Sequence, residues 1–162
     1  MNTSTAPGDS PVGHDPHLRS GRIVVGVDGS ASSMRALLRG IRMANALGTN
    51  LEIMTAYGFG GQFATSDWSP EADAKEIVAA AAAEVFDGHH PDWVSLSTRV
   101  GAPAPVLIEA SKGAEMLVIG SRGHSGLAGV LLGSVSMACA ERASCPVLVM
   151  HGADATVGDL AG

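Results

Sequence analysis

Short, nearly uninterrupted apolar runs alternate with amphipathic stretches along this chain, and that alternation constrains its fold more than any other feature. Ile23-Val24-Val25-Gly26-Val27 is apolar throughout, the mark of a strand covered on both faces. Asp28-Gly29-Ser30 breaks the run, and Ser30 has the chemistry of a helix N-cap. Met34, Leu37, Leu38, Ile41 and Leu47 then recur at helical spacing, with Arg35, Arg39 and Arg42 expected on the opposite, solvated face. Gly48 closes that helix.

The alternation continues with a strand over 51–57 and a helix opened by Ser69-Pro70-Glu71, running to about Asp87 and ended by Gly88. A strand over 94–100 and a helix over 103–112, capped by Gly113, come next. The last units are a strand over 116–119, a glycine-rich loop from Gly120 to Gly133, a helix over 134–143 and a strand over 146–150. Strands separated by helices need crossover connections, so the pattern predicts an open, parallel, five-stranded α/β sheet with helices on both faces. The expected strand order is 3-2-1-4-5. At 162 residues the chain has room for one domain, over 21–152. The Pro-, Gly- and Ser-rich residues 1–20 and the short segment 153–162 read as tails.

Composition removes several functions. Sixteen acids against ten bases give a net charge of −6, and aromatics are 4% of residues, so neither a nucleic-acid backbone nor a base-stacking platform is expected. No apolar run approaches the roughly 20 residues that span a bilayer, and residues 1–20 lack a secretory h-region. Two cysteines make no disulfide framework, and a cytoplasmic protein is expected. Cys139 reads as a core residue; Trp68, Trp93 and the pair His89-His90 read as loop or edge residues.

Open α/β sheets bind ligands beyond the carboxyl ends of their strands, where the strand order reverses. With the expected order, the loops after the first and fourth strands face one another there. The second of these carries glycines at 120, 123, 126, 129 and 133 and runs into Ser134-Val135-Ser136. Backbone without side chains lets a phosphate approach amide N–H groups, and the helix start adds its free amides and positive dipole end. Ser134 and Ser136 offer hydroxyl donors, and Arg122 is the one cation in the loop. Asp28 is either a ligand of this crevice or a turn-forming Asp before Gly29.

The spacing Gly120-x2-Gly123-x9-Gly133-Ser134, the first strand ending VVGVDGS, and the closing CPVLVM together resemble the nucleotide-binding branch of the universal stress protein family, over residues 20 to 151. The resemblance implies a Rossmann-like sheet of the adenine nucleotide alpha hydrolase kind and an ATP site, with Mg²⁺. It implies Asp28 as the acid near base or ribose, Gly26 and Val27 beside the base, and Ala56 as a backbone contact to adenine. Gly120, Arg122 and Gly123 would meet ribose and inner phosphates, and Gly133, Ser134, Val135 and Ser136 the outer ones. It also implies a stress-response regulator, a homodimer through the strand from Pro146 to Met150, and a further protein partner.

Two alternatives stay open: an interaction module with an empty pocket or a cyclic adenine nucleotide, and a slow ATP hydrolase. Efficient catalysis is not expected. The loop has no P-loop Lys, no Gly-x-Gly-x-x-Gly follows the first strand, and Gly123-His124-Ser125-Gly126 is not a nucleophile elbow.

Overall fold

The computed structural model describes residues 19–58, 69–123 and 132–151. Residues 1–18 and 152–162, the segment 59–68 with Trp68, and His124 with the middle of the glycine-rich loop lie outside these residues, whereas Arg19 and Ser20, expected in the N-terminal tail, are bonded to the end of the first helix and the turn after it. The elements follow in the order β1 (Arg22–Gly26), α1 (Ala31–Leu47), β2 (Asn50–Tyr57), α2 (Pro70–Phe86), β3 (Val94–Val100), α3 (Pro103–Ala110), β4 (Met116–Gly120), α4 (Ser134–Arg142) and β5 (Val147–Met150). All pairings are parallel and the order is β3-β2-β1-β4-β5, as the alternation predicts.

Because side chains alternate along a strand, the central apolar runs feed two cores. Ile23 and Val25 pack with Ala36, Leu37 and Ala44 of α1 and Val78, Ala81 and Ala82 of α2. Val24 and Leu117 face the other way, onto Val106, Leu107 and Ala110 of α3 and Cys139 of α4. Glu52 of β2, 9% exposed, is the buried charge among the strands. Arg22 Nε at 3.1 Å and Arg99 Nη2 at 3.5 Å pair with its charge, and the Ser97 hydroxyl donates to it at 2.7 Å.

Capping sets most element ends. Ser30 and Ser69 each accept a backbone N–H in the first turn of their helices, and Gly48 ends α1 in the left-handed conformation. Several ends differ from expectation by one or two residues, and three of them have a local cause. At the end of α2, Asp87 itself turns left-handed before Gly88. Helix α3 stops at Ala110, where the Ser111 hydroxyl bonds back to the Ile108 carbonyl at 2.6 Å. Strand β5 starts at Val147, since Pro146 accepts from Leu117 N but has no N–H to give the ladder.

The arginine stripe of α1 is not uniformly solvated. Arg42 is exposed and Arg39 half-buried, but Arg35 is buried at 9% exposure. Helix α1 lies over β1 and β4 and reaches β5, so its first turns bury Ser32 and Arg35 beside Ser33, Ala36 and Leu37. Leu47, expected inward, is exposed, because Ala44 is the last buried position of the helix.

Trp93 sits in the α2–β3 connection as expected, yet it is packed: it meets Phe86 edge-on at 6.2 Å and carries the Arg19 guanidinium 4.1 Å above its ring. Arg19 also donates to the carbonyls of Ala44 and Thr49 and to Asn45 Oδ1, closing the C-terminal end of α1. Arg19→Ala should therefore lower stability by about 1–2 kcal/mol in urea unfolding. Removal of residues 1–18, whose composition offers little apolar area, should leave it unchanged. An unaltered midpoint in Arg19→Ala would show that the clasp contributes nothing.

Candidate functional site

Strands β1 and β4 are neighbours, and the chain leaves them toward opposite edges of the sheet, so their carboxyl ends open a crevice. On the β1 side, the Val27 N–H donates to Met54 O and Thr55 Oγ1 donates to Val27 O at 2.7 Å, which fixes the loop root. Gly29 has φ +81°, a conformation that favours glycine. The Ser30 N–H donates to Asp28 Oδ1 at 2.9 Å, and the Asp28 N–H to Ser33 Oγ at 3.3 Å. Asp28 thus holds the turn through one carboxylate oxygen. Its other oxygen faces the second loop: a Cβ on Gly123 would lie 2.8 Å from Asp28 Oδ2.

On the β4 side, Ser121 N–H bonds the Met150 carbonyl at 2.9 Å, and Gly133 N–H bonds the Ser121 carbonyl at 2.7 Å. The loop is thereby tied to β5 at one point and to the start of α4 at another. Helix α4 begins after Gly133 with no side-chain cap. The N–H groups of Ser134, Val135 and Ser136 have no intrahelical acceptor, so the helix start presents an anion-binding end. The Ser136 hydroxyl is not a donor to a ligand here: it is buried and bonds the Gly120 carbonyl at 2.8 Å. Ser134 is exposed at the rim.

These elements enclose a cleft of about 600 Å³. Gly26, Val27, Asp28, Ala56, Gly120, Arg122, Gly123, Gly133, Ser134, Val135 and Ser136 all line it. The structure brings these eleven residues together, while Gly126 and Gly129 lie outside the described residues. It also adds apolar walls that the sequence reading missed: Met54, Ile77, Pro103, Leu107, Ile119 and Leu132. These come from four strands and helices and the rim of the loop, and each read as an ordinary core or loop residue. Apolar walls with few polar groups suit a flat aromatic ring at one end, and amides with one Arg suit an anion at the other.

A smaller hollow of about 330 Å³ lies between the start of α1 and α2, and Ile77 borders both spaces. Asp73, Glu76 and Glu84 rim it, so it does not suit an anion. The cysteines offer no nucleophile to either. Cys139 is buried in the α3–α4 core, Cys145 is half-buried, and burial pushes both thiols above the ordinary range. Among the described residues, no group of three or more His, Cys, Asp or Glu gathers to hold a metal ion, and no helix is long and apolar enough to cross a membrane.

The sequence pattern of the universal stress protein family matches residues 20–151. The universal stress protein Rv2005c of Mycobacterium tuberculosis is 35% identical over 151 residues, covering 85% of this chain and 50% of that protein. A universal stress protein of Mycolicibacterium smegmatis is likewise 35% identical, over 147 residues, with the same coverage of each. The chain therefore spans about half the length of the curated relatives it matches. Among solved structures, a universal stress protein in complex with cAMP is 33% identical with a TM-score of 0.61, covering 82% of this chain and 98% of that one.

Proposed function

This chain belongs to the universal stress protein family, and from that premise we propose that it binds an adenine nucleotide between β1 and β4 and serves as a cytoplasmic, nucleotide-responsive regulator of the stress response. One observation carries the reading: the described ends of the glycine loop, the uncapped start of α4 and Asp28 share a single cleft whose other walls combine apolar side chains with Ser30, Ser33 and Thr55. In this reading the base lies against Val27 and Ala56 near Asp28. Ribose and inner phosphate meet Gly120, Arg122 and Gly123, and outer phosphates meet the amides after Gly133.

The ligand proposed is ATP with Mg²⁺. No cluster of carboxylates is needed, because Mg²⁺ keeps most of its water and is held largely by the phosphates. The Ser134 hydroxyl, exposed at the rim, is the oxygen that this chain would add. Bound there, the ion would neutralise phosphate charge that Arg122 alone does not. A cyclic adenine nucleotide is the second reading. It is favoured by the 33%-identical relative solved with cAMP, and by a cleft whose charged lining, among the described residues, is one cation, Arg122, and one anion, Asp28.

The test is the identity of any nucleotide released on denaturing the purified protein, followed by titration with ATP–Mg²⁺, cAMP and GTP. Asp28→Asn removes the negative charge, leaves an amide oxygen for the Oδ1 role in the turn, and puts an NH2 donor where Oδ2 stands. It should need more ATP for saturation and discriminate less between ATP and GTP. Unchanged discrimination would remove Asp28 from the base end. Steady phosphate release with turnover would instead favour a hydrolase.

We also propose a homodimer through β5. That strand is at the sheet edge, all four of its residues are half-buried, and an apolar edge with unpaired backbone groups is normally covered. Pairing with a second copy about a two-fold axis would cover it, with Val147 and Val149 central. A monomer in sedimentation at micromolar concentration would refute this.

A further inference from the structure

Ser32 of α1 touches the start of the glycine-rich loop. It stands in the first turn, 9% exposed, and its hydroxyl donates to the Arg122 carbonyl. Gly120 is pressed against the same residue: a Cβ there would lie 2.8 Å from the Ser32 carbonyl carbon and 2.9 Å from Ser32 Cβ. The stretch from Gly120 to Arg122 is thus seated on Ser32. The neighbouring hydrogen bonds secure other groups: Ser121 N–H goes to Met150, the Gly120 carbonyl takes Ser136, and the Ser121 carbonyl takes Gly133 N–H.

The Arg122 carbonyl matters because of the peptide to which it belongs. In a trans peptide the C=O and the following N–H point in opposite directions. A carbonyl held against α1 therefore turns the Gly123 N–H away from α1. Gly123 lines the cleft, and as a glycine it sets a low barrier to rotation of the peptide before it. A reversed peptide would offer a carbonyl oxygen in place of a donor, and an anion would be repelled rather than bound.

We propose that Ser32 is a positioning residue of the cleft: it locks the 122–123 peptide with its N–H directed at the anionic part of the ligand. This rests on the nucleotide reading of the same site. It assigns the Gly123 N–H to the inner phosphate and not to ribose, and Ser32 itself does not line the cleft.

The experiment is calorimetric titration of wild type and Ser32→Ala with ATP–Mg²⁺ and with adenosine, together with melting of the unliganded proteins. Ser32→Ala removes one oxygen, so the unliganded variant should melt close to wild type. Its ATP affinity should fall about tenfold, the scale of one charge-assisted hydrogen bond, while its adenosine affinity stays within about twofold. Parallel loss for ATP and adenosine, or no loss for either, would overturn the role of Ser32 and leave the cleft reading standing. A wild type that binds neither ligand would overturn the cleft reading, and this inference with it.

Discussion

Gly133→Val should fold normally and lose its thermal response to ATP. Wild type at about 100 times the dissociation constant gains roughly 2.7 kcal/mol from ligand, a rise of roughly 5–10 °C in Tm for a chain of this size. Gly133 is the N-cap of α4 with φ −72° and ψ 165°, extended backbone that valine accepts without strain. A Cβ there would stand 3.3 Å from the Ser121 carbonyl oxygen and 3.9 Å from Arg122 Cα, which is tight but can be relieved by a few tenths of an ångström. Loss of the glycine cap for a residue with no capping oxygen costs about 1 kcal/mol at most. The two added methyl groups stand beside the amides of Ser134 to Ser136, where a phosphate would have to approach. Gly133→Ala, with one carbon, should keep part of the shift. Equal shifts in wild type and Gly133→Val would show that the start of α4 is not where the ligand's phosphates lie.

What the sequence made legible follows from how local each signal is. The strand order could be expected because every strand but the last leads into a helix, and few right-handed crossovers satisfy that pattern. Ser30 and Ser69 announce their helices since the capping oxygen and its N–H partner are three residues apart. The glycine spacing of the second loop was readable for the same reason. Arg35 was not readable, because its burial depends on how far α1 spreads across β4 toward β5, which no local period encodes. Ser136 lines the cleft, but its hydroxyl, expected to face a ligand, serves the Gly120 carbonyl sixteen positions earlier in the chain. The walls Ile77 and Leu107 belong to helices that read as core, and only the end of the sheet on which they converge makes them cleft. Ser32 had a faint signal, the run Ser30-Ala31-Ser32-Ser33, with more hydroxyls than one N-cap requires.

Gly40→Ala should destabilise the protein, against the rule for helix interiors. A glycine within a helix normally costs about 1 kcal/mol relative to alanine, so propensity alone predicts a gain. Gly40 lies in the middle of α1 and is buried, facing β1. A Cβ there would collide with Val25 Cγ2 and lie 3.5 Å from Leu51 Cδ1. Val25 cannot withdraw: it is fully buried and is paired in register with Ile53 on one side and Val118 on the other. The helix must lift instead, and lifting it loosens Ala36, Leu37 and Ala44, all fully buried on the same core. Overpacking of this kind costs about 1–3 kcal/mol, which exceeds the propensity gain over most of that range. Gly40→Leu, with three more carbons at the same point, should leave no soluble folded protein. Val25→Ala in the Gly40→Ala background removes the methyl that the new Cβ strikes. The double variant should therefore be less destabilised than the two single losses added together, by about 0.5–3 kcal/mol of coupling in urea unfolding. A Gly40→Ala protein more stable than wild type by the full helix propensity would mean that α1 rides higher above β1 than this packing requires.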